Sequence, residues 1–196
     1  MEGSTAFACR YALIAASVAA VAVSGCGGGK RQDAAEPSGT FQVDVVRASF
    51  PTKQHLAQPE RFVIAVRNTG RRTVPNVAVT VSSFAESSEQ AGLADPERAV
   101  WIIDDGPQGG QTAYTNTWAL GPLAPGKTRR FVWRVTAVQA GTHTVKWQVA
   151  AGLNGKAKAT LSGNRAPAGS LTVDVSEKPA QAHVDPRTGK VVRAGQ

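Results

Sequence analysis

Cys26 is the residue for which the sequence most clearly indicates a chemical modification. Residues 11–25 before it are apolar or small and carry no charge. A run of this length is shorter than the roughly 20 residues of a membrane-spanning helix, and it is typical of an export signal. Small residues such as Ser24 and Gly25 let an extended segment enter a protease cleft, and a thiol forms a stable thioether. Cys9 lies in the segment that cleavage would remove, so the processed chain would have no internal disulfide.

The residues Val23-Ser24-Gly25-Cys26 resemble the lipobox of bacterial lipoproteins. This resemblance implies attachment of diacylglycerol to Cys26 and cleavage before it, with ordinary cleavage nearby or an uncleaved anchor as the alternatives. We therefore expect a helical signal peptide over residues 1–25, followed over 26–40 by the lipidated cysteine and a flexible tether. The protein would be extracytoplasmic and anchored to the bacterial cell membrane by the lipid on Cys26.

The other reactive side chains form no catalytic pattern. His55, His143 and His183 are far apart and show no H-x-x-x-H or Cys/His spacing of a zinc site. His143 begins a predicted strand beside a turn, where a surface position is expected. No serine lies in a G-x-S-x-G or S-x-x-K arrangement. The sequence thus predicts a protein that is not an enzyme and that uses no metal and no cofactor.

Two candidate ligand-binding features lie between residues 104 and 118. Asp104 and Asp105 offer two carboxylates to a calcium ion, but their spacing matches no EF-hand, and a polar turn after a buried strand is the alternative. Trp133 and Trp147 are in phase with predicted core positions, whereas Trp118 follows a glycine-rich loop and is a candidate for stacking on a sugar. These features support an alternative function, in which the 104–118 loop binds carbohydrate or a cell-wall polymer.

The chain is basic, with a formal net charge of +8 that lies after residue 25, because Arg10 and Glu2 cancel before it. A basic surface attracts anionic lipid, acidic wall polymers or nucleic acid, and export excludes the last of these. The expected partners are therefore the membrane, an envelope protein or an anionic wall polymer. The alternative is a merely soluble surface, since the basic residues are spread along the chain in pairs such as Arg71-Arg72 and Arg129-Arg130.

An alternation of apolar and polar residues begins at Phe41 and predicts β-strands with one buried face. The seven clearest segments are 41–45, 62–66, 77–81, 131–135, 145–149, 157–161 and 171–175. Turn signals such as Asn154-Gly155 separate them, and the apolar runs 99–103 and 116–120 are further candidates. We expect an all-β, immunoglobulin-like antiparallel β-sandwich of about seven to nine strands over residues 41–175. Residues 176–196 indicate a basic, weakly ordered tail, with a terminal hairpin as the alternative.

Two segments of this domain resemble a known family. Phe62–Val81 (FVIAVRNTGRRTVPNVAVTV) is similar to the paired strands around an N-T-G turn in CARDB-like and related bacterial immunoglobulin-like domains. Leu123–Ala151, which begins LAPG, is similar to the second half of those domains. The resemblance implies an adhesion, spacing or ligand-presenting module. The expected function is a non-enzymatic, membrane-anchored interaction or structural module of the cell envelope.

Overall fold

The computed structural model describes residues 33–86, 99–110 and 114–193. The predicted signal peptide and Cys26 lie outside the described residues. The strands are β1 (Gly39–Ser49), β2 (Lys53–Leu56), β3 (Pro59–Asn68), β4 (Ala78–Val81), β5 (Phe84–Glu86), β6 (Trp101–Asp105), β7 (Thr117–Ala119), β8 (Thr128–Ala137), β9 (Gly141–Ala150), β10 (Ala157–Thr160), β11 (Ala168–Pro179), β12 (Ala182–Val184) and β13 (Val191–Arg193). Within the described ranges, no helix is long and apolar enough to cross a membrane.

Eleven of these strands form the two sheets of a sandwich. The six-stranded sheet has the order β10-β1-β3-β8-β6-β5, and the five-stranded sheet has the order β2-β11-β9-β4-β7. Most neighbours are antiparallel, but β1 with β10, β11 with β2, and β5 with β6 pair in parallel at sheet edges. The predicted all-β, immunoglobulin-like sandwich is confirmed, with more strands than the seven to nine expected, because β2 and β5 add short edges.

The core lies between the two sheets and consists of the side chains that point inward at alternate positions of the strands. Phe131, Trp133 and Val135 of β8 are fully buried, and Val145 and Val149 of β9 face them. Burying a side chain of this size contributes about 1.5–3 kcal/mol. The core is rich in aromatic rings, which meet edge to face or tilted: Phe50, Phe62, Phe84, Trp101, Trp118 and Trp133.

The described chain begins at one end of the sandwich, where residues 33–38 and the connections 69–77, 120–127 and 151–156 meet. We call this the proximal end. The Glu36 carboxylate accepts hydrogen bonds from the backbone N–H groups of Leu153 (2.6 Å) and Asn154 (3.2 Å). Asp33 is 1% exposed and accepts a 2.7 Å hydrogen bond from the Tyr114 hydroxyl. The predicted tether over 26–40 is corrected for residues 33–40, because Asp33 and Glu36 are hydrogen-bonded to the domain and β1 begins at Gly39; its first part, residues 26–32, lies outside the described residues.

The carboxy-terminal segment contains the two-stranded hairpin β12–β13, in which Val184 pairs with Val191. The prediction of a weakly ordered tail over 176–196 is corrected for this part, and residues 176–179 belong to β11. The Asp185 carboxylate closes the turn by accepting hydrogen bonds from the Arg187 N–H (2.8 Å) and the Thr188 hydroxyl (2.9 Å). The hairpin thus depends on its turn, since its β12 side chains are all exposed.

We expect this hairpin to open in acid. The hydrogen bond from the Arg187 N–H, and next that from the Thr188 hydroxyl, lower the pKa of Asp185. A lowered pKa stabilises the folded turn above the ordinary aspartate pKa of about 3.9, and this stabilisation is lost as the pH falls through the lowered value. NMR contacts between Val184 and Val191 should weaken in that range. Asp185→Asn should remove this pH dependence, and Asp174→Asn should preserve it; equal behaviour of the two variants would contradict the assignment.

Candidate functional site: an arginine-lined groove

Four arginines lie together on the outer face of the six-stranded sheet. The register places Arg61 of β3 directly opposite Arg134 of β8, and places Ala65 of β3 between Arg47 of β1 and Arg130 of β8. Directly paired residues of neighbouring strands project to the same face. The two arginine rows are four residues apart along the strands, which corresponds to about 13 Å.

An apolar floor separates the two rows. Val63 pairs with Val132 on one side and with Ser49 on the other. Val63 and Ala65 are each only 6% exposed, although they alternate with the inward core residues of β3. Outward positions become buried in this way when the aliphatic stems of neighbouring arginines cover them. We call the set of Arg47, Arg61, Arg130 and Arg134 with this floor the arginine groove.

The groove consists of two adjoining depressions of about 430 and 700 Å³ that share Arg61 and Arg130. The larger depression extends to Gly106 and Gln108, beyond the end of β6. A volume of this order matches that of small-ligand sites, but the groove is open and shallow. Its shape therefore favours a segment of a polymer or protein lying across the sheet over an enclosed small molecule.

The positive charge of the groove is poorly compensated. Of its four arginines, Arg134 alone has a carboxylate oxygen of the described residues within 4 Å, with its Nε 4.0 Å from Asp104 Oδ2. Arg47 instead donates from Nε to the Ser49 hydroxyl at 3.2 Å. Like charges directly opposite across a strand pair, as in Arg61 and Arg134, are destabilising. An anion bound beside Arg61 and Arg134 would relieve this repulsion and would receive charge-assisted hydrogen bonds.

The predicted carboxylate pair, Asp104 and Asp105, lies at the end of a strand and not in the expected loop. Asp104 and Asp105 are the last residues of β6, so the polar turn expected after the strand begins only at Gly106. Asp104 accepts a 2.8 Å hydrogen bond from the Thr136 hydroxyl, and Asp105 lines the groove opposite Arg134. In the described part of the chain, no three histidine, cysteine, aspartate or glutamate side chains lie close enough to hold a metal ion.

Trp118, the predicted sugar-stacking residue, is a core residue. It pairs with Val79 in the five-stranded sheet and is 6% exposed, and its ring packs edge to face on Trp133 at 5.3 Å. The prediction of an exposed platform is wrong, because β7 continues the inward alternation of β4 and turns the indole into the sandwich. The alternation over residues 117–119 is too short to reveal this from the sequence.

The three histidines remain separate from one another in the structure. His55 lies on the edge strand β2, where Nδ1 contacts the Lys178 carbonyl oxygen at 3.1 Å, and His183 is exposed in β12. His143 differs from the expected surface position, because it is partly buried and its ring packs edge to face on Trp101 at 5.8 Å. These positions assign structural contacts to two of the histidines and bring none of them to the groove.

No family model matches the chain, and no curated protein matches it. Solved structures do show similarity. The CARDB domain of the PF1109 protein from Pyrococcus furiosus, in complex with di-metal ions, is 16% identical over 71% of this chain and 93% of that chain, with a TM-score of 0.41. Native alpha-2-macroglobulin from Escherichia coli is 13% identical over 76% of this chain and 21% of that chain, with a TM-score of 0.42. Similarity at this level concerns the fold and identifies no ligand.

Proposed function

We propose that this chain is a non-enzymatic, lipid-anchored interaction module of the bacterial cell envelope, and that it binds an anionic partner through the arginine groove. The observation that carries the binding proposal is the two arginine rows on one sheet face, in which Arg47, Arg61 and Arg130 have no carboxylate oxygen of the described residues within 4 Å. An arrangement that costs stability in the free protein is expected where a ligand supplies the missing charge.

The chemistry of the groove favours a partner with repeated anionic groups. Two positive rows about 13 Å apart, with an apolar strip between them, fit a chain that carries carboxylates or phosphates on either side of a less polar backbone. Acidic segments of envelope proteins and anionic wall polymers both have this chemistry. The anchoring part of the proposal rests on Val23-Ser24-Gly25-Cys26, which would keep the module next to such partners.

The alternative of a neutral carbohydrate platform has lost its principal residue, because Trp118 is buried. A wall polymer would instead bind through its negative charges, and it would bind to the arginine groove on the sheet face. Residues Asp105, Gly106 and Gln108 of the predicted 104–118 loop then contribute the rim of the groove.

We expect Arg47→Gln, Arg61→Gln and Arg130→Gln together to weaken binding to immobilised poly-glutamate and to purified anionic wall polymer by about tenfold, since exposed ion pairs contribute about 0.2–1 kcal/mol each. Binding of the native protein should fall steeply between 0.1 and 1 M salt, where the Debye length shrinks from about 10 to about 3 Å. Arg134 is left unchanged because it has a carboxylate neighbour.

The matched control removes the same three charges from the other sheet, by Lys53→Gln, Lys146→Gln and Lys178→Gln. All three lysines are exposed, on β2, β9 and β11. This variant should retain binding within about twofold, since its charges lie on the opposite face. Equal losses of binding in the two variants would show that the groove acts only as part of a general basic surface. If the native protein bound neither probe, the proposal would be overturned.

A further inference from the structure

The proximal end of the sandwich is strongly basic. Five exposed cationic side chains lie on or beside its connections: Arg71, Arg72, Lys127, Arg129 and Lys156. Backbone hydrogen bonds hold their segments at the strand ends, with the Asn68 N–H donating to the Lys127 carbonyl oxygen and the Gly39 N–H donating to that of Lys156, both at 3.0 Å. These cations therefore project from the same end at which the chain enters the domain.

Two described carboxylates beside the chain entry are occupied within the protein, and a third, Asp44, is exposed on β1 in register with Arg67. Glu36 accepts hydrogen bonds from Leu153, Asn154 and Asn76, and Asp33 is buried against Tyr114. Arg72 is also engaged, since it donates to the Thr40 carbonyl oxygen at 2.9 Å and stacks on the Phe41 ring at 4.6 Å. The other four cations, Arg71, Lys127, Arg129 and Lys156, have no carboxylate within 4 Å in the part of the chain that the structure describes.

The position of Cys26 in the chain restricts this end further. Only seven residue steps separate Cys26 from Asp33, which is already fixed to the domain. A chain of that length spans at most about 25 Å when fully extended. A lipid on Cys26 would consequently hold the proximal end near the headgroups, at distances where each basic residue strengthens association with anionic lipid by about fivefold.

We propose that the proximal end docks directly on the anionic lipid surface, so that the membrane covers Arg71, Lys127, Arg129 and Lys156. This inference rests on the anchoring part of the proposed function. The lipid supplies attachment, and the basic end supplies orientation. The strands then stand away from the membrane, and the arginine groove on the sheet face stays open to partners from the side.

Amine labelling of the lipidated full-length protein on vesicles tests this orientation. Lys127 and Lys156 report on the proximal end, and Lys53 and Lys178 report on other parts of the sandwich. On vesicles that contain phosphatidylglycerol, we expect labelling of the first pair to be about tenfold lower than on pure phosphatidylcholine, because several cations act together. Labelling of the second pair should be unchanged, and 1 M salt should abolish the difference.

Variants separate docking from general charge. Arg71→Gln with Arg129→Gln should restore labelling of Lys127 and Lys156, whereas Arg47→Gln with Arg61→Gln removes the same charge from the groove and should not. Labelling of Lys127 and Lys156 that is equally high on both vesicle types would overturn the proposal. Labelling that is equally low on both would also overturn it, and would indicate that a second copy covers this end. Failure to float with phosphatidylcholine vesicles would contradict the lipid anchor alone, and the labelling contrast on anionic vesicles would still decide the docking.

Discussion

Trp133→Ala is expected to lower the free energy of unfolding by about 3–5 kcal/mol, the range for truncating a large aromatic residue in a core. Trp133 is fully buried, and its ring lies against Phe62 (5.2 Å), Trp118 (5.3 Å) and Phe131 (5.9 Å). These contacts join both sheets, so the cavity cannot close by a local shift. Urea denaturation followed by circular dichroism measures the change, and an unaltered midpoint would contradict the core position.

Two conservative variants sharpen this test, because the buried indoles differ in their hydrogen bonds. Trp133 Nε1 has no acceptor among the described residues, whereas Trp101 Nε1 donates to Gln54 Oε1 at 2.8 Å. Trp133→Phe removes an unpaired donor, but Trp101→Phe leaves a buried carbonyl unpaired, which costs about 1–3 kcal/mol. Trp101→Phe should therefore be the more destabilising of the two, and the reverse order would show that ring packing alone decides.

The sequence predicts the central strands well because their alternation reports directly on one buried face. Phe131, Trp133 and Val135 alternate with polar residues in the sequence, and all three are inward in β8. The edge strand β2 (Lys53–Leu56) has no such pattern: its buried residue is Gln54, whose amide bonds Trp101 and the Pro51 carbonyl oxygen. Hydropathy cannot identify a strand whose core-facing residue is polar.

The arginine groove could not be predicted, because it depends on which strands are neighbours. Alternation places Arg61 and Arg134 on outward positions, but they are 73 residues apart, and only the β3–β8 register brings them together. Glu36 shows the same limit. Its bonds to a turn 117 residues later have no local signature, so a polar, glycine-flanked segment was expected to be a tether. Long-range pairing of polar groups is what the sequence leaves open.

Cys26→Ser is expected to abolish incorporation of a clickable fatty acid and to release or stall the protein. The thioether requires the sulfur, and two acyl chains at about 0.8 kcal/mol per buried CH₂ supply the attachment. Cys9→Ser is the matched control, since it removes the other cysteine from the predicted signal peptide and should leave labelling and membrane association intact. Labelling that persists in Cys26→Ser, or that is lost equally in Cys9→Ser, would contradict the lipobox. Because docking of the proximal end depends on short-range attraction, the unlipidated protein should retain only salt-sensitive binding to anionic vesicles.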